Sequence, residues 1–486
     1  MVTDFIGAFY EDRTRGFDYQ RCVNWFPTFT ESGSSKSKVQ LICTPGKRLA
    51  VNATPSIGTG CRGAYETSDG RVFTVYGNTL YEMNINEDLI DRNSGMRFSR
   101  TTGFVHFADN GAQVIITDDS LSYIYTLSTN VIEIITSANY TSNVSGVVYK
   151  DGYFIVSVAN SKRFYKSALN DGLTWSALDF ASIVSQPDVL TGLITSGTNL
   201  RLFGKRINES WVNTGNSDFP FERVDGAVSE VGCKSPMTIQ KINNRIYWLG
   251  SNKNGFGRVW RSVGYGEEAI STSPIEKVLI TAGDVDDAIA YTYQSEGHSF
   301  YVLTIPVIKK TFVFDETESA KTGRPIWHER AYLNSGILES HRSSFHVMAF
   351  GKNYVFWTGD NSIYELSNDY YSDAGSAIKR IRTGAHISNE NKRIRINKFE
   401  LEFERGQGLT NDQGSSPMVF FRQSGDGGFS WSGEEWRSLG KIGEYDQRAE
   451  WRAQGVDRDW VFEVSVSDPV KANIIGAYIE AEPWRN

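Results

Sequence analysis

One pattern restricts the fold more than any other: a strand-like run, a short polar turn and a second run bearing an aromatic residue recur seven times between residues 71 and 366. The first copy is Arg71-Val72-Phe73-Thr74-Val75-Tyr76, a Gly77-Asn78 turn, then Leu80-Tyr81-Glu82-Met83. The last is Tyr354-Val355-Phe356-Trp357, answered by Ile363-Tyr364-Glu365-Leu366. Between Tyr81, Tyr125, Tyr165, Trp211, Trp260, Phe312 and Tyr364 the intervals run from 40 to 52 residues. Apolar residues alternate at a period of two within each run, which is the spacing of strands and not of helices. A lone hairpin is marginal in water because its apolar faces stay uncovered. Copies of 40–50 residues arranged radially cover one another, as in β-propeller blades. The pattern therefore predicts an all-β chain with a β-propeller of six or seven blades, since two copies could share a blade.

The flanks differ from the repeats. Residues 1–65 match no copy and are expected to form an N-terminal β platform segment, with the propeller over 66–375. From 376 to 486 the texture changes again. In Arg393–Glu404, Phe399, Leu401 and Phe403 alternate with Glu400, Glu402 and Glu404, and further strand-like runs follow at 418–421, 460–464 and 474–479. These predict a C-terminal β-sandwich or platform domain. Residues 443–453 are the one modest helical expectation nearby. An aromatic content of 13% agrees with a strand-rich chain.

Several functional classes lose support. A formal net charge of −7 disfavours a generally basic nucleic-acid binder, although a local basic lining stays open. No apolar run is long enough for a membrane helix, and the first 18 residues lack the basic flank and apolar stretch of a secretory leader. Cys22, Cys43, Cys61 and Cys233 form no CxxC pair and read as buried thiols. The six histidines include no pair at ligand spacing, so neither a metal nor a cofactor is expected. Gly58-Thr59-Gly60-Cys61-Arg62-Gly63 spells a dinucleotide loop, but a strand-like run follows where such a loop needs a helix. Ser424-Gly425-Asp426-Gly427-Gly428-Phe429-Ser430-Trp431 spells the Asp-box hairpin turn found in sialidases, where its role is structural. No catalytic residue stands out. A sialidase-like glycan hydrolase or a glycan-binding propeller remains the alternative reading, and the hydrolase would need an arginine cluster and a Tyr/Glu pair near the propeller axis.

The densest basic stretch holds Lys379, Arg380, Arg382, Lys392, Arg393, Arg395 and Lys398 against the single acid Glu390. Its bland reading is a solvated, salt-bridged strand surface. Its functional reading is a patch facing DNA phosphates or an acidic partner.

Short motifs spread over nearly the whole chain carry a family resemblance. They are Tyr19-Gln20-Arg21-Cys22-Val23-Asn24-Trp25-Phe26-Pro27, Thr44-Pro45-Gly46, Ser185-Gln186-Pro187-Asp188, Leu202-Phe203-Gly204 and Ile207-Asn208-Glu209-Ser210-Trp211. Gly232-Cys233-Lys234-Ser235-Pro236, Ser273-Pro274-Ile275-Glu276-Lys277 and the Asp426-Gly427 turn complete the set. In these the chain resembles the packaged-DNA stabilisation proteins, the tail nozzles or tail hubs of short-tailed bacteriophages. The resemblance implies a non-enzymatic virion protein of the tail, assembled in the host cytoplasm. It also implies a homo-oligomeric ring of six copies that closes the portal channel, retains packaged double-stranded DNA and conducts it during ejection. The implied partners are the head-to-tail adaptor ring, tail fibre, spike or needle proteins and the DNA itself, with no membrane.

Overall fold

The computed structural model describes residues 4–32, 34–52, 60–251 and 257–484. Seven antiparallel blades surround one axis. Blade 2 shows the plan: His106–Asp109, Gln113–Thr117, Ser122–Thr126 and Val131–Ile134 hydrogen-bond in chain order from the inside outward. The repeated aromatics Tyr81, Tyr125, Tyr165, Trp211, Trp260, Phe312 and Tyr364 all lie on the third strand of their blades. The hairpin readable in the sequence is thus the middle pair of strands, of which the blade's second strand is the more fully buried.

Inner hairpins turn through two residues with positive φ at Asp151-Gly152, Asn243-Asn244, Glu296-Gly297 and Phe350-Gly351. Such turns match the right-handed twist of the strands they join. Adjacent blades then share apolar cores. Val75 and Leu80 of blade 1 pack with Val114 and Tyr123 of blade 2, and Cys61 and Met83 of blade 1 with Val347 and Phe356 of blade 7.

The ring closes through sequence-distant pairing. Gly46–Asn52 adds as the outer strand of blade 7, antiparallel to Ser362–Ser367. Arg48 on this strand bonds Glu365 across the pair and reaches Glu87 of blade 1 at 2.6 Å. Gly60 and Gly63 sit at the seam. A Cβ at Gly60 would overlap the carbonyl oxygen of Thr358 in blade 7, and one at Gly63 would lie 2.6 Å from the Val105 carbonyl oxygen before blade 2. The count is seven blades, and the described part of residues 1–65, expected as one platform segment, divides among the second domain, blade 7 and, from Cys61, the inner strand of blade 1.

That second domain is a β-sandwich. One sheet contains Trp25–Phe29, Val39–Cys43, Ile474–Pro483, Ile394–Phe403 and Ala449–Asp457. The facing sheet contains Arg380–Thr383, Asp459–Val466, Met418–Ser424 and Glu435–Ser438. Phe399, Phe421, Trp451 and Phe462 fill the space between them, with ring centroids 4.7 to 5.9 Å apart. The helix expected over 443–453 is absent: the segment enters the strand Ala449–Asp457, because buried Ala449 and Trp451 alternate with Glu450 and Arg452 at the strand period. The helices lie elsewhere, at Ser273–Ala282 between blades 5 and 6 and at Glu316–Thr322 within blade 6.

One sheet runs through both domains. The outer strand of blade 6, Trp327–Asn334, pairs parallel with Cys22–Val23, which pairs antiparallel with Arg380–Thr383 of the sandwich. Asn24 follows directly, with φ 56°. Its side-chain amide donates to the carbonyls of Ala331 and Lys379 at 2.9 and 2.8 Å, and its Oδ1 accepts from the Ala331 N–H at 2.9 Å. Trp25, fully buried beside it, donates from its indole N–H to the Ala472 carbonyl. Replacing Asn24 with alanine leaves two carbonyls and one N–H unpaired at a buried site. We expect a loss of about 2–4 kcal/mol and a thermal transition that splits into two. Calorimetry of the N24A chain checks this.

Candidate partner-binding surface

The basic stretch does not form one surface. Arg380 and Arg382 are buried on the strand that joins the sandwich to the spliced N-terminal segment. Arg382 donates to the carbonyls of Phe5, Ala8 and Arg21 at 2.7, 2.9 and 3.2 Å, and to the Gln20 amide oxygen at 2.6 Å. Burial pushes its pKa down to about 10. Arg380 reaches the carbonyls of Asp468 and Tyr371. Arg382 thus holds the N-terminal segment and Arg380 ties the loops at Tyr371 and Asp468, so neither side chain faces a partner. Lys379 is half-buried and lends its carbonyl to Asn24.

Lys398 lies between Glu480 at 2.8 Å and Glu400 at 3.2 Å, and hydrogen bonds to both raise its pKa. Exposed pairs of this kind contribute little to stability. Lys392 meets Glu390 at 2.6 Å, and Arg395 stacks 5.4 Å from the Trp484 ring centroid near Glu482. Arg393 is exposed, with no ion pair among the described residues. The outward part of the stretch is therefore Lys392, Arg393 and Arg395, on the hairpin that enters the strand Ile394–Phe403.

Folding brings other segments to this end of the sandwich. The Asp-box turn is held from within: Asp426 accepts from the N–H groups of Phe429 and Ser430 and from the hydroxyls of Ser424 and Ser430. Arg15 donates to the Gly428 carbonyl, and His386 bridges the Arg15 carbonyl at 3.1 Å and Asp459 Oδ1 at 2.7 Å. Around this framework Phe17 and Phe429 are 73% and 69% exposed, and Arg13 and Arg458 are also exposed. These tip residues were missed in the sequence because they are scattered over 450 positions and converge only in the fold.

The propeller axis offers a different geometry. The cavity at the mouth where inner strands begin holds about 530 Å³ and is lined by Arg100, Phe104, His106, Asp119, Asn143 and Asn160, among others. The cavity toward the other mouth holds about 290 Å³ and includes Asn243, Gln294, His346 and Asn353. There His346 bonds Asn353 at 2.8 Å, and burial pushes its pKa down to about 4. Neither lining contains the arginine cluster with a Tyr/Glu pair that a sialidase-like hydrolase needs. The dinucleotide spelling also lacks its context. Gly58 and Thr59 lie outside the described residues, and Cys61–Glu66 is a strand whose glycines serve blade closure. All four cysteines are free and buried. Among the described residues no three His, Cys, Asp or Glu side chains gather as a metal site, and no helix is long and apolar enough to cross a membrane.

Comparison with known proteins decides the family. A family described as bacteriophage P22 Gp10, beta-propeller, matches residues 5–371, and one described as bacteriophage P22 Gp10, beta-sandwich, matches 379–482. The chain belongs to the bacteriophage P22 Gp10 family. It is a structural, virion-associated phage tail protein of the packaged-DNA stabilisation class, with the propeller and sandwich named by those descriptions. No curated protein matches it. Among solved structures, the computationally designed Ika8 protein aligns at 13% identity over 72% of this chain and all of that one, with a TM-score of 0.37. The extracellular domain of a one-component system from B. thetaiotaomicron aligns at 11% identity over 91% of this chain and 61% of that one, with a TM-score of 0.43. These two likenesses carry no argument about function.

Within the family frame, the division of the basic stretch can be tested. We expect R382A to destabilise the chain by about 3 kcal/mol or more, because buried acceptors lose their donor, while R393A stays within about 0.5 kcal/mol; urea melts of the two variants measure both. The Asp426 carboxyl, held down to about 2 mainly by the Ser430 hydroxyl and N–H, should titrate near that pH. Because its folded pKa is depressed, the turn's contribution to stability is complete above about pH 4 and lost as pH falls through 2. Carboxyl-detected NMR follows this titration directly.

Proposed function

We propose that this tail protein assembles into a ring of six copies below the head-to-tail adaptor, closes the channel after packaging, retains the double-stranded DNA and conducts it during ejection. Membership in the Gp10 family supports this reading, and so does the sheet continuity between propeller and sandwich. A plug or nozzle must resist deformation, and two domains joined through hydrogen-bonded strands and buried tryptophan move less freely than two joined by a linker. The charge pattern agrees. With Arg380 and Arg382 buried and Lys398 paired, only Lys392, Arg393 and Arg395 of the basic stretch remain outward to meet phosphates, a small set for counterion release. A moderately acidic protein lets DNA slide.

The exposed end of the sandwich, with Phe17, Phe429, Arg13 and Arg393, is the proposed contact for a neighbouring copy or the adaptor. Aromatic and arginine side chains dominate such contacts where they become buried. Lys392 and Arg395 flank it and would face DNA or an acidic partner. Tail fibre, spike or needle proteins would attach to the assembled ring. Assembly takes place in the host cytoplasm, and the role is structural, not enzymatic.

Mass photometry with and without purified adaptor ring tests the proposal. The expected result is a species gaining six times the 54.5 kDa chain mass, weakened by a combined F17A/F429A substitution. A chain that stays monomeric, ignores the adaptor and is missing from purified virions contradicts it.

A further inference from the structure

The larger axial cavity has a chemistry that a structural ring does not require. Its wall combines Arg100 and Phe104 from the segment before blade 2, His106 and Asp119 of blade 2, and Asn143 and Asn160 around blade 3. The side chains of Arg100, Asn143 and Asn160 make no hydrogen bond to another described residue, and Asp119 acts on His106 electrostatically without a hydrogen bond. Convergent polar groups in a concave site ordinarily find partners within the protein or bind something. In the opposite cavity His346 pairs with Asn353 and Gln294 with Asn243, so the larger cavity is unusual within its own propeller.

A plainer explanation covers part of this set. Asp119, Asn143 and Asn160 hold positive φ angles of 63°, 58° and 57°, and Asp and Asn are favoured there as turn formers. Turn geometry does not account for an exposed arginine, a half-buried histidine and a phenylalanine at the same opening.

Taken together these groups select a ligand class. A guanidinium recognises an anionic oxygen pair, amides and a carboxylate hydrogen-bond neighbouring hydroxyls, and Phe104 with Pro236 and Met237 offers apolar surface to one face of a sugar ring. A cavity of about 530 Å³ lies within the usual range for small-ligand sites. We propose that this mouth binds an acidic sugar residue of a glycan.

Charge around the propeller favours the same end. Turns between the second and third strands of blades 3 and 4 open on this side and carry exposed Lys162, Lys205 and Arg206. Turns and strand ends at the opposite end carry both signs, with Asp69, Asp151 and Glu296 beside exposed Lys241 and Lys352. Free cations around the larger cavity attract a polyanionic glycan to it. This site is independent of ring assembly, since it lies on the propeller and not on the sandwich tip.

Saturation-transfer NMR on the full chain, with tetragalacturonate, 3′-sialyllactose and neutral maltotetraose as probes, tests the proposal. At least one acidic probe should bind, with maltotetraose about tenfold weaker or more, and R100Q and F104A should each weaken binding by about tenfold. Arg100 is exposed, so R100Q should melt like the parent chain, and R393Q on the sandwich should bind as the parent does. Three results would overturn the proposal. They are no binding of either acidic probe at about 10 mM, beyond the weak end of specific affinity; binding unchanged in both R100Q and the N143A/N160A double variant; or inorganic sulfate or duplex DNA occupying the mouth as tightly as the sugars.

Discussion

The join between the two domains depends on the short N-terminal segment around Asn24. That segment leaves the sandwich, threads between blade 6 and the strand Arg380–Thr383, and returns to the sandwich as Trp25–Phe29. Cys22–Val23 alone is too short to bind two sheets by backbone pairing. The Asn24 amide supplies the missing ladder, bonding one residue on each side, and its left-handed backbone aims the chain into the next sheet. Arg382 then fixes the preceding residues from beneath. Both depend on burial, because the same bonds exposed to water would compete with solvent.

The second constraint is closure of the ring. Gly46–Asn52 must find Ser362–Ser367 across more than 300 residues, a pairing that waits until the intervening blades have formed. Around that seam lies a buried polar group of Lys47, Arg330, His341 and Asp373. Lys47 donates to the Arg342 carbonyl at 3.0 Å, and Arg330 to the Pro45 carbonyl at 2.8 Å. Burial, with Arg330 and Lys47 adding to it, pushes His341 down to about 3, so it stays neutral. Such groups are costly unless satisfied, which makes the closed ring specific to one register.

How much of this was legible follows from where information resides in a strand. The middle strands of each blade are the most buried and the third carries a large aromatic, so Tyr81 through Tyr364 marked seven hairpins, though the sequence left six or seven blades open and the fold shows one hairpin per blade. Outer strands are less buried, and the partner of Gly46–Asn52 lies more than 300 residues away, so that pairing left no local trace. The alternation of Phe399, Leu401 and Phe403 exposed the sandwich. Trp451 did not, because a glycine-bounded polar stretch just before it resembles a helix start. The basic stretch misled for a related reason: charge is local in sequence, but Arg382 is buried by residues 5–21 and Arg380 bonds Tyr371 and Asp468. The axial cavity was invisible, since Arg100, Asp119 and Asn160 belong to separate turns.

The rigid splice is the claim on which the tail-ring reading leans most, and native-state hydrogen exchange read by mass spectrometry tests it most directly. Peptides spanning residues 22–26, 328–332 and 380–383 should exchange as slowly as the cores of blade 2 and the sandwich, and should open only with them. Exchange at the splice orders of magnitude faster than in both flanking cores would mean two independently moving domains and would contradict the account.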